Sequence, residues 1–319
     1  MLTAVACNNT NIENTMSNED ILKVLDIKIH KHPKDDGLLY QRAQIYMEMH
    51  RINEAISDLS RAISINSEEF DYHMLLGDAY LANGDPDHSY SSLENALALR
   101  PNSSEAQLKL GEIAYISKDY DRAMDHLGKV TAKDPNNRTA LFMKASIYKE
   151  TQDTSNAITL FRKVADLYPD FAPAFEELGI LYAFHHDPIA FEYLNTAVRL
   201  DPNNTNILYN IASIYQEDFN KPDKAEEIYK QILDIDAGNK YAWHNRGYIQ
   251  AFTYGDYELA VEYFTKAIQC DSTYIEAWTN RGNAYYLMGD KEHAAEDFRT
   301  AIDYDHTFQP AIDGMNRIN

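Results

Sequence analysis

The sequence predicts an all-α fold, a solenoid of eight helix-turn-helix repeats, because small residues recur along the chain in two parallel series. Members of the first series follow one another at steps of 34, 34, 34, 34, 33, 35 and 35 residues: Ala43, Gly77, Gly111, Ala145, Gly179, Ala212, Gly247 and Gly282. The second series has nearly the same period: Ala55, Ser89, Ala123, Ala157, Ala190, Ala225, Ala260 and Ala294. Small residues at two fixed offsets with a period of roughly 34 are typical of stacked helix pairs.

Three further positions repeat with this period. Tyrosine follows the first small residue by three positions in six repeats: Tyr46, Tyr80, Tyr148, Tyr182, Tyr215 and Tyr285. A large apolar residue follows the second by four positions: Leu59, Leu93, Leu127, Phe161, Leu194, Tyr229, Phe264 and Phe298. The closing residue of a repeat is often proline: Pro33, Pro101, Pro135, Pro169 and Pro202. In the last three repeats it is replaced by Ala237, Ser272 and His306.

The clearest copy of the pattern is AWTNRGNAYYLMGDKEHAAEDFRTAI, from Ala277 to Ile302. It resembles the tetratricopeptide repeat family, whose motif is W-x2-L-G-x2-Y, then A-x3-F, then P. The resemblance covers residues 36–306 in eight repeats. It implies a right-handed superhelix in which the first helix of each repeat lines a concave face that binds partners.

Each part of the pattern has a physical reason. Helices cross closely only where their side chains are small, and larger residues then fill the remaining space. Proline has no amide hydrogen and cannot continue a helix, so it marks the end of a repeat. One helix pair cannot bury its apolar face alone, and neighbouring pairs therefore stack into a shared core.

The repeat positions give a helix map. First helices are expected near 37–50, 70–83, 104–117, 138–151, 172–184, 205–218, 240–253 and 275–288. Second helices are expected near 53–65, 86–98, 120–132, 154–166, 187–199, 222–234, 257–269 and 291–303. The step between the two small residues is 11 in repeat 5 and 13 in repeats 6 and 7, against 12 elsewhere. We expect turns to absorb these irregularities, since loops tolerate changes in length.

Both ends of the array are expected to carry a capping helix. At the N-terminus, residues 17–33 hold a helix capped by Ser17 or Asn18, with Pro33 just beyond its end. At the C-terminus, residues 307–319 supply a short last helix. The side chains of that helix expected to face inward are Ile312, Met315 and Ile318.

Composition limits the classes of partner. The chain carries 50 acidic and 29 basic residues, a formal net charge of −21. Such a surface repels the phosphates of nucleic acids and anionic lipid head groups, so neither is an expected partner. The acids are spread over nearly every repeat, which favours a role in solubility. Attraction of a basic partner is the alternative.

No motif indicates catalysis, a cofactor or a metal. The sequence has no glycine-rich phosphate loop and no His-Glu-x-x-His zinc motif. Its two cysteines, Cys7 and Cys270, exclude a disulfide scaffold and a multi-cysteine zinc site, and we expect Cys270 to be a packing residue. His185 and His186 lie in the short turn of repeat 5 without an identifiable third ligand, which favours a solvated turn. The protein is therefore predicted not to be an enzyme.

Candidate binding residues lie on the concave face that the resemblance implies. Two positions before the first small residue of repeats 6, 7 and 8 stand Asn210, Asn245 and Asn280, spaced 35 residues apart. An asparagine amide donates and accepts hydrogen bonds at once, so a row of them can hold the backbone of an extended peptide. The alternative is that asparagine is simply common at this position of the family.

Aromatic residues surround this row and suit peptide recognition: Tyr209, Tyr241, His244, Tyr248 and Tyr286. We expect Tyr248 and Tyr286 to face the groove and Phe252 to pack between neighbouring first helices. The N-terminal half offers a mixed, more acidic surface, where Lys109 and Lys149 alone do not form a clamp for an acidic chain terminus. The predicted partner is a protein or peptide segment, and self-association stays open.

The first residues suggest where the protein is located in the cell. Residues 4–7 read Ala-Val-Ala-Cys, which resembles the end of a bacterial lipoprotein signal whose cysteine, here Cys7, receives lipid. Residues 1–16 would then be a disordered tether or the remnant of a signal segment. Only six residues precede Cys7, fewer than the apolar core of about 7–15 residues in such a signal. A start codon assigned too late, a trimmed sequence and a chance match are the alternatives.

The sequence thus supports a non-enzymatic scaffold that binds an extended peptide or protein segment in the groove of the superhelix. The first alternative is a bacterial envelope lipoprotein that organises cell-wall or secretion enzymes and contacts the membrane only through lipid on Cys7. Without that lipid, the protein is expected in the cytoplasm. The second alternative is an enzyme with an unrecognised site, for which the sequence offers no positive feature.

If Cys7 carries lipid, the protein expressed from its own genomic locus should partition with membranes, because an acyl chain adds buried apolar surface. Cys7→Ala should release it to the soluble fraction, whereas Cys270→Ala should not. Fractionation followed by immunoblotting measures this, and a soluble wild-type protein would contradict the lipoprotein hypothesis.

Overall fold

The computed structural model describes residues 16–318 and confirms the all-α fold. Eighteen α-helices and two short π-helices occur in this range, and no strand is found there. The helices belong to two compact bodies, Met1–Leu160 and Phe161–Asn319. Cys7 lies outside the described residues, so its lipidation stays a prediction.

The N-terminal body holds a capping helix, α1, followed by repeats 1–4. These repeats pair α2 with α3, α4 with α5, α6 with α7 and α8 with α9, and the boundary between the bodies falls within α9. The helices are α1 (Asn18–Lys31), α2 (Asp36–Glu48), α3 (Ile52–Ile65), α4 (Phe70–Ala82), α5 (Pro86–Leu99), α6 (Ser104–Ile116), α7 (Tyr120–Lys133), α8 (Arg138–Glu150) and α9 (Thr154–Leu167).

The C-terminal body holds repeats 5–8 and a last capping helix, α18. Its α-helices are α10 (Ala172–Phe184), α11 (Ala190–Leu200), α12 (Thr205–Ser213), α13 (Pro222–Ile235), α14 (Lys240–Ile249), α15 (Tyr257–Cys270), α16 (Ile275–Leu287), α17 (Lys291–Tyr304) and α18 (Gln309–Ile318). Two π-helices extend the first helices of repeats 6 and 7, π1 (Ile214–Asp218) after α12 and π2 (Gln250–Tyr254) after α14.

The small residues of the first series lie where the two helices of a repeat touch. A Cβ atom added to Gly77 would lie 2.7 Å from Cγ of Leu93, and one added to Gly247 would lie 2.8 Å from Cδ1 of Phe264. Both large side chains are buried, with exposures of 1% and 0%. The crossing therefore has no room for a side chain at these positions, because the large residue of the second helix already fills it.

Arginine residues next to the small residue tie three helices together. In repeat 1, Arg42 forms two 2.6 Å hydrogen bonds with Asp58 of α3 and a third with Asp26 of α1. In repeat 8, Arg281 bonds Asp297 of α17 twice at 2.8 Å and Thr265 of α15 at 2.9 Å. Since Asp26 and Thr265 both lie 16 residues before their arginine, α1 takes the place of the second helix of a preceding repeat.

Aspartate caps begin many of the second helices. The carboxylate accepts a hydrogen bond from a backbone N–H three residues later at Asp85, Asp119, Asp153, Asp256 and Asp290. It satisfies a free amide group at the helix start and complements the positive end of the helix dipole. The start of the second helix is therefore determined by a charged side chain as well as by packing.

Aspartate also ends the second helices of repeats 6, 7 and 8, which lack the closing proline. Helices α13, α15 and α17 stop at the cap residues Asp236, Asp271 and Asp305. Each of these carboxylates accepts from the backbone N–H two residues later, at 2.8–3.0 Å. Such a turn offers the backbone an alternative to the helix, so these helices end as sharply as those that meet proline.

One residue in each repeat adopts a left-handed backbone where the first helix ends. These residues are His50, Gly84, Lys118, Gln152, His186, Asn220, Gly255 and Gly289. Helices commonly end in this conformation because it lets backbone N–H groups bond the last free carbonyl groups. Three of the eight residues are glycine, which adopts a positive φ without steric cost.

The extra residues of repeats 6 and 7 lie inside helices, so the expectation that turns absorb them was wrong. A π-helical turn holds one more residue than an α-helical turn, and π1 and π2 take up the insertions before the left-handed residue is reached. In repeat 5 the missing residue lies in the turn, as expected. Ala190 follows the left-handed His186 by four positions, whereas Ala55 follows His50 by five.

Near the C-terminus, the expectation that Cys270 packs inside the protein was also wrong, whereas the large apolar side chains of α18 are half-buried. The buried residues of α18 are Ala311 and Gly314, while Ile312, Met315 and Ile318 are half-buried. A Cβ on Gly314 would lie 2.5 Å from Cε1 of Phe298, so the last helix also docks through a small residue. Cys270 is exposed because it is the final residue of α15, beyond the buried stripe.

We predict that Gly77→Ala lowers the free energy of unfolding by about 1–3 kcal/mol, because the new methyl group overpacks the crossing against Leu93. Gly128→Ala is the matched control. Gly128 also lies in a helix, but an added Cβ would have no neighbour within 4 Å, so this change should stabilise the protein by about 0.5–1 kcal/mol. Urea unfolding measures both, and equal effects would contradict the close crossing.

Candidate peptide-binding cleft

A cleft of about 560 Å³ lies along the first helices of repeats 6, 7 and 8 in the C-terminal body. Its volume is within the range of ligand sites in proteins. Four predicted site residues line it: His244, Asn245, Tyr248 and Asn280. The other lining residues are Gln216, Glu217, Asn220, Pro222, Phe252, Thr253 and Glu276.

The two π-helices form part of the cleft wall. Gln216 and Glu217 come from π1, and Phe252 and Thr253 come from π2. A π-helical turn shifts the phase of the side chains that follow it, and such turns occur often at functional sites. The sequence signal for these residues is the 13-residue step in repeats 6 and 7, which spacing alone does not distinguish from a longer turn.

An exposed aromatic pair stands on this wall. The rings of Tyr248 and Phe252 lie 4.7 Å apart at 52° to one another, and the two residues are 41% and 43% exposed. Tyr248 therefore faces the cleft. The expectation that Phe252 packs between helices was wrong, because the residue lies in π2, whose wider turn leaves its ring open to solvent.

The three asparagines each donate a hydrogen bond to the preceding first helix. The pairs are Asn210 Nδ2 with Glu176 Oε1 at 2.8 Å, Asn245 Nδ2 with the Tyr209 hydroxyl at 3.1 Å, and Asn280 Nδ2 with His244 Nε2 at 2.9 Å. Each partner lies 34 or 36 residues earlier in the chain. The amide nitrogens thus join neighbouring first helices. This favours a structural role for the row over direct contact with a peptide.

The remaining predicted aromatics form contacts within the protein. Ring centroids are 6.2 Å apart for Tyr209 and Tyr241, 5.6 Å for Tyr241 and Tyr274, and 5.1 Å for His244 and Tyr274. The guanidinium of Arg317 lies 5.5 Å from the ring of Tyr286. Asn210, Tyr209, Tyr241 and Tyr286 do not line this cleft, and any contact of theirs with a partner stays a prediction.

His244 is held neutral at the floor of the cleft. Burial lowers its pKa from 6.5 to about 4, and a hydrogen bond with the Asn245 side chain opposes this only in part. The unprotonated ring can accept at Nε2, so it matches the N–H that Asn280 donates. The histidine therefore joins repeats 7 and 8 without adding positive charge to the cleft.

Other candidate chemistry does not converge on a site. Lys109 is ion-paired with Asp78 at 2.6 Å, which leaves no basic clamp around it. His185 and His186 are exposed in the turn of repeat 5. Over residues 16–318, no three His, Cys, Asp or Glu side chains group closely enough to hold a metal ion, and no helix is long and apolar enough to cross a membrane.

Profiles of known families match the repeats of this chain. Tetratricopeptide repeat profiles match residues 40–89, 205–239 and 275–308, and a TPR repeat profile matches residues 252–289. The profile of the cytochrome c-type biogenesis protein H TPR domain matches residues 70–174. The chain belongs to the tetratricopeptide repeat family.

Individual relatives match only part of this chain. An uncharacterized protein of Methanocaldococcus jannaschii is 37% identical over 75 residues, which is 24% of this chain and 69% of that protein. The BBSome complex member BBS4 of Bos taurus is 25% identical over 180 residues, 54% of this chain and 33% of its own length. The chain spans a third or less of several curated relatives that it matches.

A solved structure agrees with the helical architecture. The C-terminal part of a TPR repeat-containing protein from Cytophaga hutchinsonii superposes with a TM-score of 0.61 at 18% identity. The match covers 77% of this chain and 99% of that structure. At this identity the likeness shows the fold alone.

We predict that His244 makes the stability of the C-terminal body depend on pH. The unfolded histidine takes up a proton near pH 6.5, whereas the folded one does so only near pH 4. Stability should therefore fall as the pH is lowered through this window, by at most about 3 kcal/mol. Thermal unfolding of His244→Gln should show a weaker dependence, and His306→Gln, an exposed control, the wild-type dependence. Identical pH profiles for all three proteins would contradict the burial of His244.

Proposed function

We propose that this protein is a non-enzymatic protein-interaction scaffold whose cleft in repeats 6–8 binds an extended segment of a partner protein. The observation that carries the proposal is the exposed Tyr248–Phe252 pair on the cleft wall. Large aromatic side chains offer much contact area with little conformational freedom to lose, and they dominate the energy of many interfaces.

The arrangement of the cleft favours an extended chain as its occupant. Three successive first helices contribute to the lining, through Glu217 of repeat 6, Tyr248 of repeat 7 and Glu276 of repeat 8. Packed helices lie about 8–10 Å apart, so three of them cover roughly 20 Å. About six residues of extended chain span that distance, and such a segment can reach all three repeats.

The asparagines support this site in a different way from that first expected. Their amide nitrogens already donate to neighbouring first helices, and those of Asn245 and Asn280 hold the floor of the cleft in place. Each such bond contributes about 0.5–1.5 kcal/mol of stability, and a triple alanine variant would change folding together with binding. Variants of the aromatic pair therefore test binding more cleanly. Localisation to the cell envelope through lipid on Cys7 is a separate proposal that rests on the sequence alone.

We predict that Tyr248→Ala with Phe252→Ala weakens partner binding at least tenfold, because truncation of interface aromatics often costs more than 1 kcal/mol each. The partner is first recovered by pull-down from native extract and narrowed to a synthetic peptide, and affinity is measured by calorimetry. Tyr304→Ala is the matched control, since Tyr304 is 50% exposed but lies outside the cleft.

The aromatic variant should keep its helix content, because both side chains are largely exposed. Unchanged affinity of this folded variant would place the partner elsewhere on the protein and overturn the proposal. Loss of affinity in Tyr304→Ala would do the same.

A further inference from the structure

We propose that the bound segment carries basic side chains, which Glu217 and Glu276 bind while the Tyr248–Phe252 rings contact a cationic end. This inference rests on the function proposed above and names the chemistry of the partner. It draws on three features of the cleft: its unpaired carboxylates, its unpartnered hydrogen-bond acceptor and its aromatic rings without a cation.

The cleft presents two carboxylates that the protein does not neutralise. Glu217 and Glu276 are exposed, line the cleft from repeats 6 and 8, and form no hydrogen bond or ion pair with the described residues. Two other acids of repeats 6 and 7 do form ion pairs, Glu226 with Arg246 at 2.7 Å and Asp271 with Lys240 at 2.5 Å. No lysine or arginine lines the cleft, so a cation must come from the partner.

The hydrogen-bond inventory of the cleft also favours a donor. The amide nitrogens of Asn245 and Asn280 are engaged with Tyr209 and His244. The side-chain oxygen Oε1 of Gln216 is buried and has no donor in the protein. A buried acceptor without a donor is unfavourable, and lysine and arginine side chains carry donors and no acceptor. The exposed carboxylates of Glu217 and Glu276 are the charged acceptors left for a partner.

The aromatic pair lacks the cation that its neighbours have. The Lys240 ammonium lies 5.0 Å from the Tyr241 ring, and the Arg246 guanidinium lies 4.3 Å from the Tyr263 ring. No cation of the described residues lies over the rings of Tyr248 or Phe252. A cation within about 6 Å of a ring face is attracted by the negative charge of that face. A lysine or arginine of the partner would supply it, within the cleft that Glu217 and Glu276 also line.

The overall charge of the chain acts in the same direction. A net charge of −21 repels an acidic segment and speeds the encounter with a basic one. This long-range attraction is not specific to the cleft, because acids lie on most of the surface. A test must therefore separate the two cleft carboxylates from the general charge.

In the first part of the test, peptides that bind the whole protein are selected from a random decapeptide display library. We expect selected peptides to be enriched in lysine and arginine and to lose binding at least tenfold with Tyr248→Ala/Phe252→Ala. Peptides that depend on the aromatic pair without such enrichment would overturn this inference and leave the proposed function standing. Peptides that bind regardless of the pair would overturn both.

The second part measures the contribution of the cation with one selected peptide and its analogue, in which norleucine replaces lysine. For the wild-type protein the analogue should bind at least tenfold more weakly. For Glu217→Gln/Glu276→Gln the two peptides should differ less than twofold, because the carboxylates that bind the ammonium are gone. Fluorescence anisotropy at one fixed salt concentration gives these ratios.

The matched control is Glu258→Gln/Glu292→Gln, which removes the same charge from exposed positions outside the cleft. It should bind both peptides as the wild type does. A control that loses the preference for lysine as strongly as the cleft variant would assign the effect to general attraction and overturn the proposal. An unchanged preference in the cleft variant would overturn it as well.

Discussion

The close approach of two helices at each small residue is the constraint on which the structure depends. Gly77 meets Leu93 and Gly247 meets Phe264 with no room for a Cβ atom between them. Such a contact fixes the depth and the register of the crossing, so every other position of the repeat meets a set partner. Arg42 with Asp58 and Arg281 with Asp297 illustrate this, since both pairs lie 16 residues apart and form the same two-bond contact.

This constraint explains why the extra residues become π-helices. In repeats 6 and 7 the crossing lies before the insertion, and the left-handed residues Asn220 and Gly255 follow it. The turn between the helices keeps its form, with the second helix beginning two residues later in both repeats. Only the last turn of the first helix is free to accept a residue. That turn borders the cleft, so an inserted residue changes which side chains form the cleft wall.

Much of the architecture followed from the sequence because it depends on residue size at regular intervals. The small residues located the helix pairs within a few residues, as in α4, expected near 70–83 and observed at Phe70–Ala82. The site was harder to predict because its features are irregular. Phe252 is exposed through a π-helical turn that the 13-residue step did not reveal as such. Cys270 is exposed because of its place at a helix end, which spacing alone did not indicate.

The asparagine row shows why periodic residues of a solenoid first contact the protein itself. A step of 35 residues brings a residue beside the equivalent position of the next repeat, so a polar side chain that recurs there finds a partner within the chain, as Asn245 finds Tyr209. Surface left for another protein then arises where one repeat departs from its neighbours.

Tyr248 is such a departure. The equivalent residues of repeats 6 and 8 are Ser213 and Asn283, which bond Tyr229 and Arg317 of the same chain. Tyr248 instead contacts the ring of Phe252 and stays open to the cleft. The regular positions of the repeat therefore build the scaffold, and the irregular ones give it a surface on which a partner can be recognised.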